Sequence, residues 1–274
     1  MANAEAQHIF YEYEYEKQCG IRLFQRFLYA YFPKLLFFYI FVPVFFPIDL
    51  NNIVIAIDGP SGVGKSTTAR RVAEALQYRY LDTGAMYRAI ALKVIHEKVS
   101  FTEIEKITAL LATTAIELSC DNDGMHLFLD GKEVTQEIRT PEISQAASII
   151  SAVPTVRAKL VEEQQRLGKD GGVVVEGRDI GTVVYPHAAL KIFMTASAMH
   201  RAERRKSELQ SAESSIPLNK LMEQMKERDE RDSTREHSPL TKADDAITLD
   251  TSDMTIEEQV SFIVNEAKKR IILS

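Results

Sequence analysis

Cysteine is scarce: Cys19 and Cys120 are the only two in 274 residues, far apart and without metal-ligand spacing. That pattern argues against a disulfide framework and for two reduced thiols in a cytoplasmic protein. The six histidines form no H-E-x-x-H pattern or other metal cluster, which argues against a zinc site. Positive charge is also short. With 33 Lys and Arg against 39 Asp and Glu, the net charge of −6 gives no basic surface for a nucleic-acid polymer, so none is expected as a partner. Any anion site must be local. Long apolar runs are missing too. The uncharged "LLFFYIFVPVFFPI" (35–48) has 14 residues, interrupted by Pro43 and Pro47, whereas a membrane helix needs roughly 20. Reaching back across Lys34 to Phe27 gives spanning length only by admitting a charge and a third proline. A signal peptide fits poorly, because the flank is acidic and no small-residue cleavage site follows.

What the chain does have is apolar content, 45% of its residues, enough for a sizeable core. Its aromatics are unevenly placed: residues 1–50 hold nine of the 13 Phe and six of the 10 Tyr, including "YEYEYE" (11–16). Three readings of this extension stand side by side. It is a membrane-associating tail, a poorly ordered extension, or the product of a start codon upstream of the true one, with Leu50 as the native start. Membrane association is expected only under the first.

From Asn51 the texture is that of an α/β protein. "IVIAID" (53–58), "GVVVEG" (172–177), "LKIFMT" (190–195) and "AITLDT" (246–251) read as strands, the first three as buried parallel ones. Helices are expected at about 67–76, 85–97, 142–167 with a break near Pro154, 198–235 and 256–269. Near 116–134 the pattern changes to a small antiparallel insert, with Asp130-Gly131 as a hairpin turn. Strands alternating with helices predict a parallel sheet covered on both faces.

"GPSGVGKS" (59–66) matches G-x-x-x-x-G-K-[ST] between a predicted strand and a predicted helix, the context that gives this motif its meaning. Its glycines let backbone N–H groups converge on phosphate oxygens beside a helix N-terminus. Lys65 can bridge terminal phosphates, and Ser66 can ligate Mg²⁺. The candidate contacts for a nucleoside triphosphate are Gly59, Pro60, Ser61, Gly62, Val63, Gly64, Lys65, Ser66 and Thr67. Two uses remain for such a loop: a nucleotide-driven switch, or transfer of the terminal phosphoryl group. A guanine switch would carry N-K-x-D, and the lone Asn-Lys here is "NKLM" (219–222).

A second anion site favours the enzyme. "LDTGAMYR" (81–88) gathers Thr83, Tyr87 and Arg88; if a helix opens near Gly84–Ala85, the latter two lie in its first turn and suit a phosphate monoester. A packed Tyr87 and a solvated Arg88 on an amphipathic helix remain the plainer alternative. Further on, "MKERDERDSTREHSP" (225–239) has seven charges in eight residues. On a helix, Arg228, Asp232 and Arg235 fall at i, i+4 and i+7 as one stripe. Glu227 and Arg231 then form a solvated pair elsewhere.

These segments, with "EIRTPEIS…AAS" (137–148), "VPTVR" (153–157) and "EGRDIGTVVYP" (176–186), resemble the bacterial cytidylate kinases in order and spacing. The resemblance runs from about Asn52 to the C-terminus. It implies a nucleoside-monophosphate kinase fold: a five-stranded parallel sheet flanked by helices, a lid, and a monophosphate-binding insert at about 113–150 within a kinase domain 51–274. It implies transfer of a phosphoryl group from ATP, with Mg²⁺, to CMP or dCMP by a cytoplasmic protein expected to be a monomer. A kinase of the same fold acting on UMP or another monophosphate is the nearest alternative. By the same resemblance, Ser148, Arg157 and Asp179 read cytosine, and Arg178 joins Thr83, Tyr87 and Arg88 on the acceptor phosphate. Arg228 and Arg235 meet the nucleotide, Asp232 accepts from ribose, and Lys65, Arg178 and Arg228 serve catalysis. Glu176 occupies an acidic family position, and Arg201, Arg204 and Arg205 fall where the lid should cover the triphosphate. Thr83 stands where the family more often has serine, which keeps the hydroxyl.

Overall fold

The computed structural model describes residues 52–121, 124–208 and 216–271. The chain divides into two units, Met1–Ile48 and Asp49–Ser274. The aromatic extension and its three readings lie outside the described residues.

Five parallel strands form the sheet: β1 (Val54–Asp58), β2 (Arg79–Asp82), β6 (Val173–Gly177), β7 (Leu190–Thr195) and β8 (Ile247–Asp250), in the order β2-β6-β1-β7-β8. Alternating side chains feed two cores, as strand geometry requires. Ile55, Ile57 and Val174 face helices α1 (Lys65–Leu76) and α8 (Ile256–Ile271). Ala56, Val173 and Val175 face the other side, where α2 (Thr83–His96), α4 (Pro141–Ile150) and α5 (Pro154–Gly168) pack. Between α2 and α4 come α3 (Ile104–Thr113) and the three-stranded antiparallel sheet of β3 (Ile116–Asp121), β4 (Gly124–Leu129) and β5 (Lys132–Glu133). Asp130 and Gly131 both have positive φ, 51° and 78°, as a two-residue hairpin turn demands.

Three expectations need correcting. The stretch 198–235 is two helices, α6 (Ala198–Glu208) and α7 (Leu218–Thr234), because Pro217 sits at the N-cap of α7 and cannot continue a helix from before it. Strand β2 and helix α3 were not expected from the pattern. Strand β2 is a four-residue edge strand with charged ends and little apolar content, and so gives no hydrophobic run to read. The last correction concerns helix α2, which opens at Thr83, capped by the Asp82 carboxylate accepting from Ala85 N at 2.9 Å. Tyr87 and Arg88 therefore lie in its second turn.

The parallel register sets the carboxyl ends level: Asp82 pairs with Glu176, and Asp58 with Gly177. In open α/β sheets that edge is where ligands bind. After β6 the chain makes a single π-helical turn, Ile180–Val184. Asp58 holds it, accepting from Ile180 N at 2.8 Å and Gly181 N at 2.7 Å. Arg178 and Asp179, just before that turn, take their places from it.

Burial pushes the Asp58 carboxyl up to about 6, against the pull of the two N–H groups. Between about pH 4 and 6 the folded chain thus holds a proton that the unfolded chain lacks, so this group adds stability as pH falls through that window and ceases to above it. Asp58→Asn turns an amide N–H₂ toward one of the two backbone donors and should destabilise by about 1–3 kcal/mol. In urea unfolding at a series of pH values, the gap to the unaltered chain should widen as pH falls from 6 to 4.

Candidate active site

The phosphate loop is built by close backbone approach. A Cβ on Gly59 would lie 2.3 Å from the Met194 carbonyl oxygen, so only glycine lets the loop leave β1 past β7. Gly64 caps α1 with φ of 93°, a left-handed conformation that glycine adopts without strain. Val63 is fully buried and anchors the loop in the core. Its carbonyl accepts from Thr251 Oγ1 at 3.0 Å and Arg204 Nη1 at 3.2 Å. The Ser61 carbonyl accepts from Arg201 Nη1 at 3.1 Å, and the Pro60 carbonyl from Lys65 Nζ at 2.7 Å. With these carbonyls engaged from outside and beneath, Ser61, Gly62, Gly64, Lys65, Ser66 and Thr67 line a single cleft. Gly59, Pro60 and Val63, also expected there, shape the loop without lining it.

The opposite wall gathers residues from five segments. Tyr87 and Arg88 come from α2, Ser148 from α4, Arg157 from α5, Arg178 and Asp179 from the end of β6, and Arg228, Asp232 and Arg235 from α7 and its end. Arg157 ion-pairs with Asp179, donates to the Ser151 carbonyl at 3.1 Å, and lies over the Tyr87 ring, 5.5 Å from its centroid. Arg235 approaches the other Asp179 oxygen at 3.5 Å. Arg178 Nε donates to Asp232 at 2.9 Å, and Ser148 Oγ reaches the same carboxylate at 3.5 Å. Arg88 pairs with Asp82 at 2.7 Å. Thr83 also lines the cleft, but its hydroxyl donates to the Glu176 carbonyl at 2.7 Å and keeps only its acceptor side free. The stripe on α7 forms as spaced. The Glu227–Arg231 pair does not: both side chains are exposed and point into water.

Crowding of cations shows in their acidities. Burial, then Arg178, pushes the Lys65 amine down to about 7. The same two causes push Arg228 down to about 10. Asp232 is held low despite burial, by Arg178 and Arg228, and Asp82 likewise by Arg88. Glu176 is raised by burial and by Asp82, and accepts from the Tyr80 hydroxyl at 2.5 Å. Arg88 Nε, Arg157 Nε and Arg228 Nε are buried and find no hydrogen-bond partner among the described residues. Buried donors left unpaired are costly. All three belong to arginines that line the cleft beside the phosphate loop, where the density of cationic donors suits a ligand rich in acceptors.

A model of the cytidylate kinase family, described as "Cytidylate kinase", matches residues 55–269, which holds both walls of this cleft. The chain belongs to the cytidylate kinase family. A cytidylate kinase of Chloroherpeton thalassium is 51% identical over 221 residues, covering 78% of this chain and 92% of the relative. Those of Pelotomaculum thermopropionicum and Bacillus subtilis are 47% and 46% identical, covering 77% and 80% of this chain and 93% and 98% of the relatives. Family membership makes this chain a nucleoside-monophosphate kinase, a phosphotransferase.

Of the three arginines expected in the lid, Arg205 alone lines the cleft. Arg201 and Arg204 bond the phosphate loop's backbone from outside, and Arg204 also donates to the Thr251 carbonyl at 2.5 Å. Asp58, Asp82 and Asp229 support the site yet were not singled out from sequence. A single carboxylate at a strand end or in a charge run carries no pattern that separates it from a solvated one.

Lys65→Ala should lower turnover roughly a hundredfold, as for a lost transition-state donor. Its melting temperature should stay level or rise, because the substitution removes a buried amine whose charge the fold disfavours. Arg228→Ala should cut kcat/KM by about two powers of ten with a similarly unharmed melting temperature. Glu227→Ala, exposed on the next face, should change neither in the same steady-state and thermal assays.

Proposed function

We propose that this chain transfers the γ-phosphoryl group of ATP to CMP or dCMP, giving ADP and CDP or dCDP, in the cytoplasmic metabolism of pyrimidine nucleotides. The observation that carries this reading is the set of arginines, among them Arg88, Arg157, Arg178, Arg228 and Arg235, that line one cleft together with the phosphate loop. The proposed catalytic unit is 51–274, with the insert at about 113–150 forming part of the acceptor wall.

ATP is read onto the phosphate loop, its phosphates on the free N–H groups at the start of α1 and on Lys65. The Ser66 hydroxyl is exposed to the cleft, which the Asp82 and Glu176 carboxylates also line. That is a set of hard oxygen donors, and it fits Mg²⁺, which Ser66 would hold with the Asp82 and Glu176 carboxylates nearby. The metal would supply charge neutralisation on the bridging phosphate oxygens. For the acceptor, Arg88, Arg178 and Arg228 converge where a monophosphate would meet Lys65. Their half-buried, planar forks would fix its oxygens and place one in line with the γ-phosphorus. Charge that builds on the transferred group then meets cations already in place, which need not reorganise.

Ser148, Arg157 and Asp179 are read as the base contacts. Cytosine presents acceptors at O2 and N3 and a donor at N4, matching a hydroxyl, a guanidinium and a carboxylate. Uracil would set its N3–H against the guanidinium and its O4 against Asp179, leaving buried groups unpaired, a mismatch that rejects strongly. Asp232 and Arg235 are read onto ribose and phosphate. In a coupled assay with Mg-ATP and each common nucleoside monophosphate, CMP and dCMP should give the highest kcat/KM, with UMP at least about a hundredfold poorer. Equal turnover of UMP and CMP would overturn the base assignment.

A further inference from the structure

Asp229 lies between two residues of the acceptor stripe, yet faces the donor side. Its carboxylate accepts from Ser61 N at 3.3 Å and forms an ion pair with Arg201 of α6. Arg201 in turn donates to the carbonyl of the same Ser61 at 3.1 Å. Both charges are largely buried, with side chains 11% and 19% exposed, so this is not a solvated surface pair. One turn earlier on α7, the Met225 methyl sits 2.6 Å from where a Gly62 Cβ would be. Helix α7 therefore carries two adjacent stripes. Met225 and Asp229 press on the phosphate loop, while Arg228 and Asp232 line the acceptor wall.

A carboxylate beside a loop that receives a polyanion is electrostatically adverse unless a cation cancels it and its position is what matters. We infer that Asp229, with Arg201, is a positioning residue that fixes α7 to the phosphate loop, so that nucleotide bound on the loop sets the acceptor groups of the same helix. The inference rests on reading the loop as the ATP site and the facing wall as the CMP site. Ordering Ser61 and Gly62 orders their contacts Asp229 and Met225; Arg228, one residue before Asp229, and Asp232, three residues after it, cannot stay behind on a rigid helix.

The test is the affinity for CMP, by calorimetry, with and without a non-hydrolysable ATP analogue. In the unaltered chain the analogue should tighten CMP about tenfold, within the usual range of coupling between sites. In Asp229→Ala and in the near-isosteric Asp229→Asn, that gain should fall below about twofold, while CMP affinity without the analogue shifts less than about threefold. Arg201→Gln should match them, and the double variant should lose no more than either single one. A merely structural role would lower melting temperature and both affinities together. The inference is overturned if Asp229→Asn keeps the full gain, if the unaltered chain shows none, or if the double variant loses much more. CMP turnover by the unaltered chain is read separately: turnover with unchanged coupling in the variants sinks the latch alone, and no turnover sinks the assignment beneath it as well.

Discussion

Mutual repulsion among cations is the constraint on which this site depends. Arg88, Arg157, Arg178, Arg205, Arg228 and Arg235 share one cleft with Lys65. Without counter-charges so dense a set could not be buried, and each strong carboxylate there serves as a spacer as much as a ligand group. Asp82 takes Arg88, Asp179 takes Arg157 and Arg235, and Asp232 takes Arg178. Among the described residues, Arg228 and Lys65 are the two cations of the cleft without a carboxylate of their own, and both have loosened protons; burial and Arg157 loosen that of Arg235 as well, despite Asp179. Charge left over in the protein is charge available to an anionic ligand. Buried pairs of this kind are weak sources of stability but strongly punish loss of one partner.

The carboxylates in turn depend on backbone. Asp58 fixes the turn that presents Arg178 and Asp179, and Asp82 caps the helix that presents Tyr87 and Arg88. Both stand at strand ends whose register is set by the core, so the electrostatics of the cleft is inherited from packing several residues away. Catalysis by positioning suits such an inheritance, because nothing in the chemistry asks the protein for a covalent bond.

Much of this was legible in the sequence because its signals are local. The phosphate loop is contiguous, the i, i+4, i+7 stripe of Arg228, Asp232 and Arg235 is periodic, and continuous apolar runs announce β1, β6 and β7. The meeting of Ser148, Arg157 and Asp179 came only through resemblance to a family, since residues that far apart share no spacing rule. What stayed hidden was of two kinds. Strand β2 is four residues long, at the sheet edge and charged at both ends, so its Tyr80 and Leu81 are too few to make a hydrophobic pattern. The anchoring roles of Asp58, Arg201, Arg204 and Asp229 consist of bonds to backbone atoms distant in sequence, and a side chain's type does not tell which main-chain group it will find.

Helices α6 and α7 have a third core of their own, in which Ala202, Leu221 and Met225 are buried, separate from the two that clothe the sheet. So small an apolar cluster contributes little cohesion, and the pair is joined to the loop mainly by polar contacts. Cooperative units with few buried apolar contacts open well below the free energy of global unfolding. Solvent deuterium should therefore enter the amides of α6 and α7 through local opening while those of β1 and β6 remain protected. The part of the cleft wall that α6 and α7 supply is in this sense a foldon of lower rank than the part built on the core of the sheet.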